Sequence, residues 1–335
     1  MTRTARVPDD GIIFLFPGQG NDPAGALAPL FDGTDKALQS ARAEARLALD
    51  EIAQAAVDCE YGAAGAIHQV LLGNIASDQL PYGMSQLAQF AASVALARFL
   101  VCAGIAPHLI VGVSLGEVAA LVCAGAFTVA EATRLVCALN DAYRTVVGQG
   151  ALVLIDASEE ETRNLLARTD RNDLVVACLN APRQMIVSGP TDAIAALMAL
   201  DEPSTPRRRR LPIPYPGHHP ALQDVYAHFL RSVGHLTQQQ LRVTTLSPVR
   251  RRVYTDDDDL LKALADTVTQ PVHLTEALHR LAPPRQRRFI EVGVGSSLSH
   301  SILATIPNAR AVTPLASGHT WSNLMLGLAQ LHQPT

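Results

Sequence analysis

The pentapeptide Gly112-Val113-Ser114-Leu115-Gly116 has the spacing G-x-S-x-G. It directly follows the apolar run His108 to Val113 (HLIVGV) and precedes the small, apolar run Glu117 to Ala126. A buried strand turning sharply into a helix is the setting in which this spacing carries a nucleophile. The turn is so tight that the residues two before and two after the serine must be small. It leaves the hydroxyl at a helix N-terminus, where backbone N–H groups can hold an oxyanion. The competing reading is an ordinary strand-to-helix turn with a capping serine. A serine also needs a base. Most of the eleven histidines stand singly in helical or loop stretches, where histidine is more often structural or solvated than catalytic. His218 and His219 differ, because the segment Pro212-Ile213-Pro214-Tyr215-Pro216-Gly217 holds them on a rigid, non-helical stretch.

Several elements must position these groups. Gly11 to Phe16 (GIIFLF) is a short continuous apolar run ended by Pro17-Gly18, which reads as a buried parallel strand entering a loop. Helical patterns follow over about 39–57 and 85–103, then the second buried strand before Ser114. Between about Gly150 and Leu211 the units shorten: ALVLID, a helix near 159–168, LVVACLN, QMIVSG, a helix near 191–200, and RRRRLPIP as a last strand. This β-α-β-β-α-β order is ferredoxin-like and reads as an insertion. The larger pattern resumes with the strand Arg288 to Val292, Gly293-Val294-Gly295 and a further helix. The acidic run Asp256 to Asp259 reads as a solvated helix start.

Composition narrows the function classes. With 48% apolar and 17% charged side chains over 335 residues, the chain buries a core and is not a disordered polymer. Its aromatic fraction is 4%, so that core is mainly aliphatic. A net charge of 27 − 31 = −4 gives no global field of the kind that draws proteins to nucleic acid. Subtracting Lys36 and Lys262 from the 27 cations leaves 25 arginines. The five cysteines form no C-x-x-C pair, as expected of free thiols in a reducing compartment. Met1 to Asp10 lacks an apolar targeting core, so a cytoplasmic location is expected. The apolar stretch Leu87 to Ile105 is interrupted by Arg98 and reads as a buried helix rather than a membrane span. No metal site and no bound cofactor is expected.

Four motifs in order, Phe16-Pro17-Gly18-Gln19-Gly20, Gly112-Val113-Ser114-Leu115-Gly116-Glu117, Tyr215-Pro216-Gly217-His218 and Glu291-Val292-Gly293-Val294-Gly295, together resemble the malonyl-CoA:acyl carrier protein transacylase family. That family includes the acyltransferase domains and stand-alone acyltransferases of polyketide synthesis. The resemblance implies an α/β fold, with an α/β-hydrolase-like large subdomain (1–149 and 212–335) and an inserted ferredoxin-like small one (150–211). It also implies a ping-pong mechanism, in which Ser114 attacks an acyl thioester with His218 as general base and the acyl group then passes to a second thiol. By the same resemblance the backbone N–H groups of Gln19 and Leu115 form the oxyanion hole. A backbone carbonyl at about Thr267, before Gln270-Pro271-Val272, orients the histidine, and Gln86 lines the cleft. The substrates implied are acyl-CoA or a phosphopantetheinyl acyl carrier protein.

Three departures fall in the acyl pocket. Malonyl-selective members carry an arginine in the helix after the nucleophile that clamps the free carboxylate, and the ungapped alignment puts Leu139 there. A leucine cannot neutralise a carboxylate, and burying that anion unpaired costs several kcal/mol. Arg144 would substitute only with a shifted helix register. Val113 replaces the usual histidine before the nucleophile. Tyr215-Pro216-Gly217-His218 matches neither the malonyl nor the methylmalonyl signature, and Gly217 removes volume beside the base. A transferase for a non-carboxylated acyl group larger than acetyl is therefore expected. An ordinary malonyl transacylase with a relocated cation, and a hydrolase that releases stalled chains to water, remain alternatives. So does a lipase-like hydrolase with a late histidine such as His300 or His319.

The arginines suggest the partner. Arg207, Arg208, Arg209 and Arg210 precede the histidine segment, and Arg250, Arg251 and Arg252 form a second cluster, with Arg285, Arg287 and Arg288 a third. Carrier proteins are acidic, so a basic rim near the cleft would steer them in. The competing reading is a solvated loop. A monomer is expected, with no nucleic-acid or membrane partner.

Overall fold

A computed structural model describes residues 11–61, 65–200, 205–280, 288–316, 318 and 320–332. Arg285, Arg287 and His319 lie outside the described residues. In chain order the strands are β1 (Ile12–Phe16), β2 (Leu109–Gly112), β3 (Gly150–Ile155), β4 (Val175–Ala181), β5 (Gln184–Pro190), β6 (Arg208–Arg210), β7 (Thr245–Ser247), β8 (Arg252–Val253), β9 (Arg288–Glu291) and β10 (Arg310–Val312). The larger sheet has the order β10-β9-β1-β2-β7-β8. All its neighbours pair in parallel except β7 with β8. Ile13 to Phe16 are fully buried, as a parallel strand covered by helices on both faces requires. From β1 the order runs to β2 on one side and to β9 on the other, and the crevice at the carboxyl ends of such strands is where α/β sheets place ligands. Pro17-Gly18-Gln19, Val113-Ser114 and Val292-Gly293 all leave the sheet at that edge.

The second sheet is antiparallel, order β4-β5-β3-β6, with its first and third strands in the centre. One face packs Ala151, Val153, Ile155, Met185 and Val187 against the helices Glu159–Ala167 and Thr191–Ala199 in a separate small core. The residues between them in sequence, Leu152, Leu154 and Ile186, point to the opposite face by the two-residue period of a strand, and that face lines the cleft. The protein thus has a large α/β-hydrolase-like subdomain and a small ferredoxin-like one. The small sheet is also tied to the large subdomain by main-chain bonds at Val272, in the link between two helices: Val272 N–H to Ala177 O (2.9 Å) and Leu179 N–H to Val272 O (2.8 Å).

Local chemistry sets the helix starts. Thr128 and Glu131 form a reciprocal capping box for the helix Val129–Arg144, and Ser158 and Glu161 do the same for Glu159–Ala167. The helix Met84–Cys102 is long and apolar enough to cross a membrane, but it is a core helix whose Phe90, Phe99 and Leu100 are almost fully buried. Arg98 lies toward Glu44 (3.5 Å) and Glu51 (3.7 Å) of the helix Gln39–Asp58. The acidic run is not simply solvated. Asp259 caps the helix Leu260–Thr269 through Lys262 N–H, and Asp258 pairs with Arg252 at 2.7 Å.

Candidate active site

Ser114 sits at φ +57°, a left-handed conformation that a non-glycine residue adopts only where its surroundings impose it. Those surroundings are the glycines. A Cβ on Gly112 would lie 2.5 Å from the Glu117 Cα, and one on Gly116 would run into the carbonyl oxygen of Phe16. The small residues therefore let the helix Gly116–Cys123 seat directly on the ends of β1 and β2. Gly18 approaches equally closely, its Cβ position 3.0 Å from the Val113 carbonyl.

His218 lies across the turn, also at positive φ (+54°). Its Nε2 is 2.9 Å from the Ser114 Oγ and its Nδ1 is 3.1 Å from the Gln270 carbonyl. A carbonyl only accepts, so Nδ1 carries the proton and Nε2 is left to accept from the serine hydroxyl. The orienting carbonyl belongs to Gln270, not to Thr267 as expected from the sequence. Thr267 is inside the helix Leu260–Thr269, whereas Gln270 is its C-cap, with an N–H bonded back to Asp266 and an extended ψ of 147° that turns its carbonyl out of the helix. The same helix end receives His219 N–H at the Val268 carbonyl (3.0 Å). The His219 ring bonds the Asp173 carbonyl and the Ala221 N–H, so this second histidine holds structure. Burial drives the His218 pKa down to about 4, partly opposed by its bond to Gln270, so the ring is a neutral base near pH 7.

The backbone N–H groups of Gln19 and Leu115 donate to no other group among the described residues, and both residues line the cleft beside Ser114. The Gln19 side chain is occupied by the Tyr215 hydroxyl, 2.7 Å from its Nε2 and 2.9 Å from its Oε1. Tyr215 in turn stacks on Tyr143, ring centroids 4.3 Å apart.

A serine at a strained elbow with a buried neutral histidine on its hydroxyl can take up and release an acyl group. A family model described as the acyl transferase domain matches residues 13–321. The chain belongs to that acyltransferase family. Polyketide synthase GfsA of Streptomyces halstedii is 32% identical over 289 residues, 85% of this chain but 4% of that much longer protein. A loading acyltransferase from the avermectin modular polyketide synthase superposes with a TM-score of 0.81 at 26% identity, covering 96% of this chain and 100% of that one. A malonyl CoA-acyl carrier protein transacylase from Clostridium perfringens shares the fold at 21% identity, TM-score 0.78, over 96% of this chain and 97% of that one.

The acyltransferase cleft has a volume of about 450 Å³ and lies between the two sheets. Val113, Leu139, Gln86, Tyr215 and Gly217 line it, as does Thr267. Asn140 sets Gln86 in place by donating to the Gly83 carbonyl (3.0 Å) at the start of the helix that bears it. Tyr143, Leu152, Leu154, Cys178 and Ile186 also line the cleft; none was singled out from the sequence. Tyr143 follows Leu139 by one helical turn, and that spacing alone puts the two on one face. Cys178 is held as a thiol by burial, its pKa pushed up to about 12, so it does not compete with Ser114.

Arg144 does not reach the pocket. It lies over the rings of Tyr82 (5.2 Å) and Tyr61 (5.9 Å) and 3.5 Å from Asp141. Arg250, Arg251 and Arg252, expected as a docking cluster, lie away from the cleft. Arg250 pairs with Asp266 (2.8 Å), Arg251 with Glu276 (3.4 Å) and Arg252 with Asp258, and none of the three lines the cleft. These guanidiniums are already neutralised by carboxylates of their own chain. On β6 the arginines divide by strand alternation. The Arg208 guanidinium turns back to the Leu200 carbonyl, Arg209 lines the cleft opposite Leu154, and Arg207 joins Arg209 and Asp156 around a second hollow of about 230 Å³. Arg207, Arg209 and Arg210 are exposed or nearly so.

Proposed function

We propose that this acyltransferase moves a non-carboxylated acyl group between thioester carriers, onto or between acyl carrier proteins of polyketide synthesis. His218 Nε2 takes the Ser114 proton as Oγ bonds to the thioester carbonyl carbon. The carbonyl oxygen becomes an oxyanion held by the Gln19 and Leu115 N–H groups. As the C–S bond breaks, the proton passes from His218 to the leaving sulfur, giving a thiol and an acyl-Ser114 ester. The second thiol then repeats the steps in reverse, giving a new thioester and restoring the serine. The chemistry calls on side chains and backbone alone, with coenzyme A or phosphopantetheine as the thiol.

The observation that carries the choice of acyl group is Leu139. It lines the cleft together with Val113, Leu152, Ile186 and Gly217, and a carboxylate beside it would meet an alkyl side chain in place of a neutralising guanidinium. Arg209 is the arginine that lines the cleft, and it supports the second reading, a malonyl transacylase whose carboxylate reaches out to β6. Intact-protein mass spectrometry of Ser114 after incubation with malonyl, acetyl and longer neutral acyl thioesters separates the two. Loading by the longer neutral groups, abolished in Ser114→Ala, is the expected outcome. Strong labelling by malonyl with none by neutral groups would overturn the proposal. An acyl-enzyme that decays to free acid in the presence of a carrier protein would assign hydrolysis instead of transfer.

A further inference from the structure

Six tyrosines occur in the chain, and the hydroxyls of four of them hydrogen-bond within the protein. Tyr61 donates to Asp141 (2.7 Å), Tyr82 to the Asn140 carbonyl (3.1 Å) and Tyr254 to Glu117 (2.6 Å). Tyr215 is bonded to Gln19, and Tyr226 is only partly buried. The Tyr143 hydroxyl makes no hydrogen bond among the described residues, although the residue is only 7% exposed. A tyrosine hydroxyl at a cleft wall that bonds no protein group is free to donate to whatever fills the cleft. This one opens on the acyl cleft, 3.9 Å from the position a Cβ on Gly217 would take.

The geometry around it is fixed. Tyr143 stands on the helix Val129–Arg144, one turn beyond Leu139, and its ring is stacked on Tyr215, itself pinned through Gln19. The space left by Gly217 is bounded by the Leu152 Cδ1 (3.8 Å) on one side and by this hydroxyl on the other. Beside Gly217 the Tyr143 O–H is a preset donor facing the apolar Leu152, so the acyl chain that fills this space is read there by a single oxygen. Burial, reinforced by the neighbouring Tyr215 and Tyr82, holds the phenol pKa well above its ordinary value, so the group stays a donor throughout the working pH range.

We propose that the Tyr143 hydroxyl is a specificity donor: it selects acyl groups that carry a neutral oxygen acceptor, a ketone, hydroxyl or amide oxygen, along the chain beside Gly217. The inference rests on the reading of the pocket as one for non-carboxylated groups, since a carboxylate would accept the same bond but leave its charge unpaired beside Leu139. A site built to hydrogen-bond a substrate oxygen discriminates against the analogue that lacks it, because the donor is then left unmade.

The test compares acylation rates of Ser114 by oxoacyl pantetheine thioesters, with the ketone at the third, fifth or seventh carbon, against plain acyl thioesters of the same length. The wild type is expected to prefer one ketone position by about tenfold. Tyr143→Phe keeps the ring stacked on Tyr215 and removes only the O–H, and it is expected to bring that ratio close to one. A wild type indifferent to every ketone position, or a Phe variant that slows both members of a pair equally, overturns the proposal. The wild-type ratio decides even if the variant does not fold. A malonyl thioester in the same series keeps the two readings apart. If malonyl outruns every neutral chain, the non-carboxylated reading fails, while the ketone ratio still judges Tyr143.

Discussion

Ser114 and His218 both occupy left-handed backbone conformations, each costing on the order of 1–3 kcal/mol in a non-glycine residue. The fold accepts that cost at the two residues whose side chains must meet. For His218 the second cost is desolvation, which sets a testable pH limit. With its pKa lowered from the ordinary 6.5 to about 4, the ring stays neutral and basic well below pH 6. The acidic limb of the Ser114 acylation rate is therefore expected near pH 4 to 5, and a midpoint near 6.5 in a stopped-flow pH profile would contradict it. The linked stability has the same direction: the unfolded chain protonates this histidine first, so its contribution is lost as pH falls from about 6.5 through 4. At this scale the nucleophile and base were legible because glycine and proline spacing encodes backbone shape. The carbonyl at Gln270 was not, since which of four successive carbonyls leaves a helix depends on the ψ of its last residue. The spacing of Tyr143 from Leu139 was legible, but the stacking of its ring on Tyr215 and its approach to Gly217 were not, because they join segments distant in sequence.

The helix that follows the nucleophile is joined to the chain leaving β8 by a buried acid. Glu117, in the first turn of the helix Gly116–Cys123, is fully buried and accepts from Tyr254 on the chain leaving β8. A helix N-terminus favours a negative charge, but burial outweighs it and pushes the pKa up to about 7, against the hydrogen bond from Tyr254. A carboxyl whose folded pKa is raised adds stability in its protonated form, and that stability is lost as pH rises from about 4.5 through 7. Glu117→Gln keeps an acceptor for Tyr254 and removes the charge. Its melting temperature relative to wild type is expected to rise by several degrees between pH 5 and pH 8, corresponding to about 2 kcal/mol, and a constant difference across that range would refute it. The strands and helices were largely legible from periodicity: the pattern placed helices at 159–168 and 191–200, and they run Glu159–Ala167 and Thr191–Ala199. The ion pairs of Arg250, Arg251 and Arg252 were not legible, because a cluster of like charges does not disclose the carboxylates that folding brings from Asp258, Asp266 and Glu276.

Across the whole molecule, the cleft is the seam between two sheets of different construction, one parallel and one antiparallel. Arg207 and Arg210 stand exposed at the two ends of β6, the edge strand beside the cleft-lining β3, and their charges are the ones a docking test should reverse. Reversing both charges (R207E with R210E) is expected to lower the rate of transfer to a carrier protein by about tenfold at low salt, less at high salt, with a smaller effect on acylation by a short pantetheine thioester. Equal losses in both assays would remove these residues from docking. The ferredoxin-like order of elements was readable from the change in unit length near Gly150, whereas the stitching of Val272 to β4 was not, because it joins residues that no local pattern relates. That stitching bears on any attempt to exchange acyl pockets between relatives by recombination. A transplant cut at 150 and 211 would leave behind Val272 and the proline segment leading to His218, so the grafted sheet would meet a foreign partner segment just beside the carbonyl that aims the base. Crossover points beyond 273 would carry sheet, base and carbonyl across together.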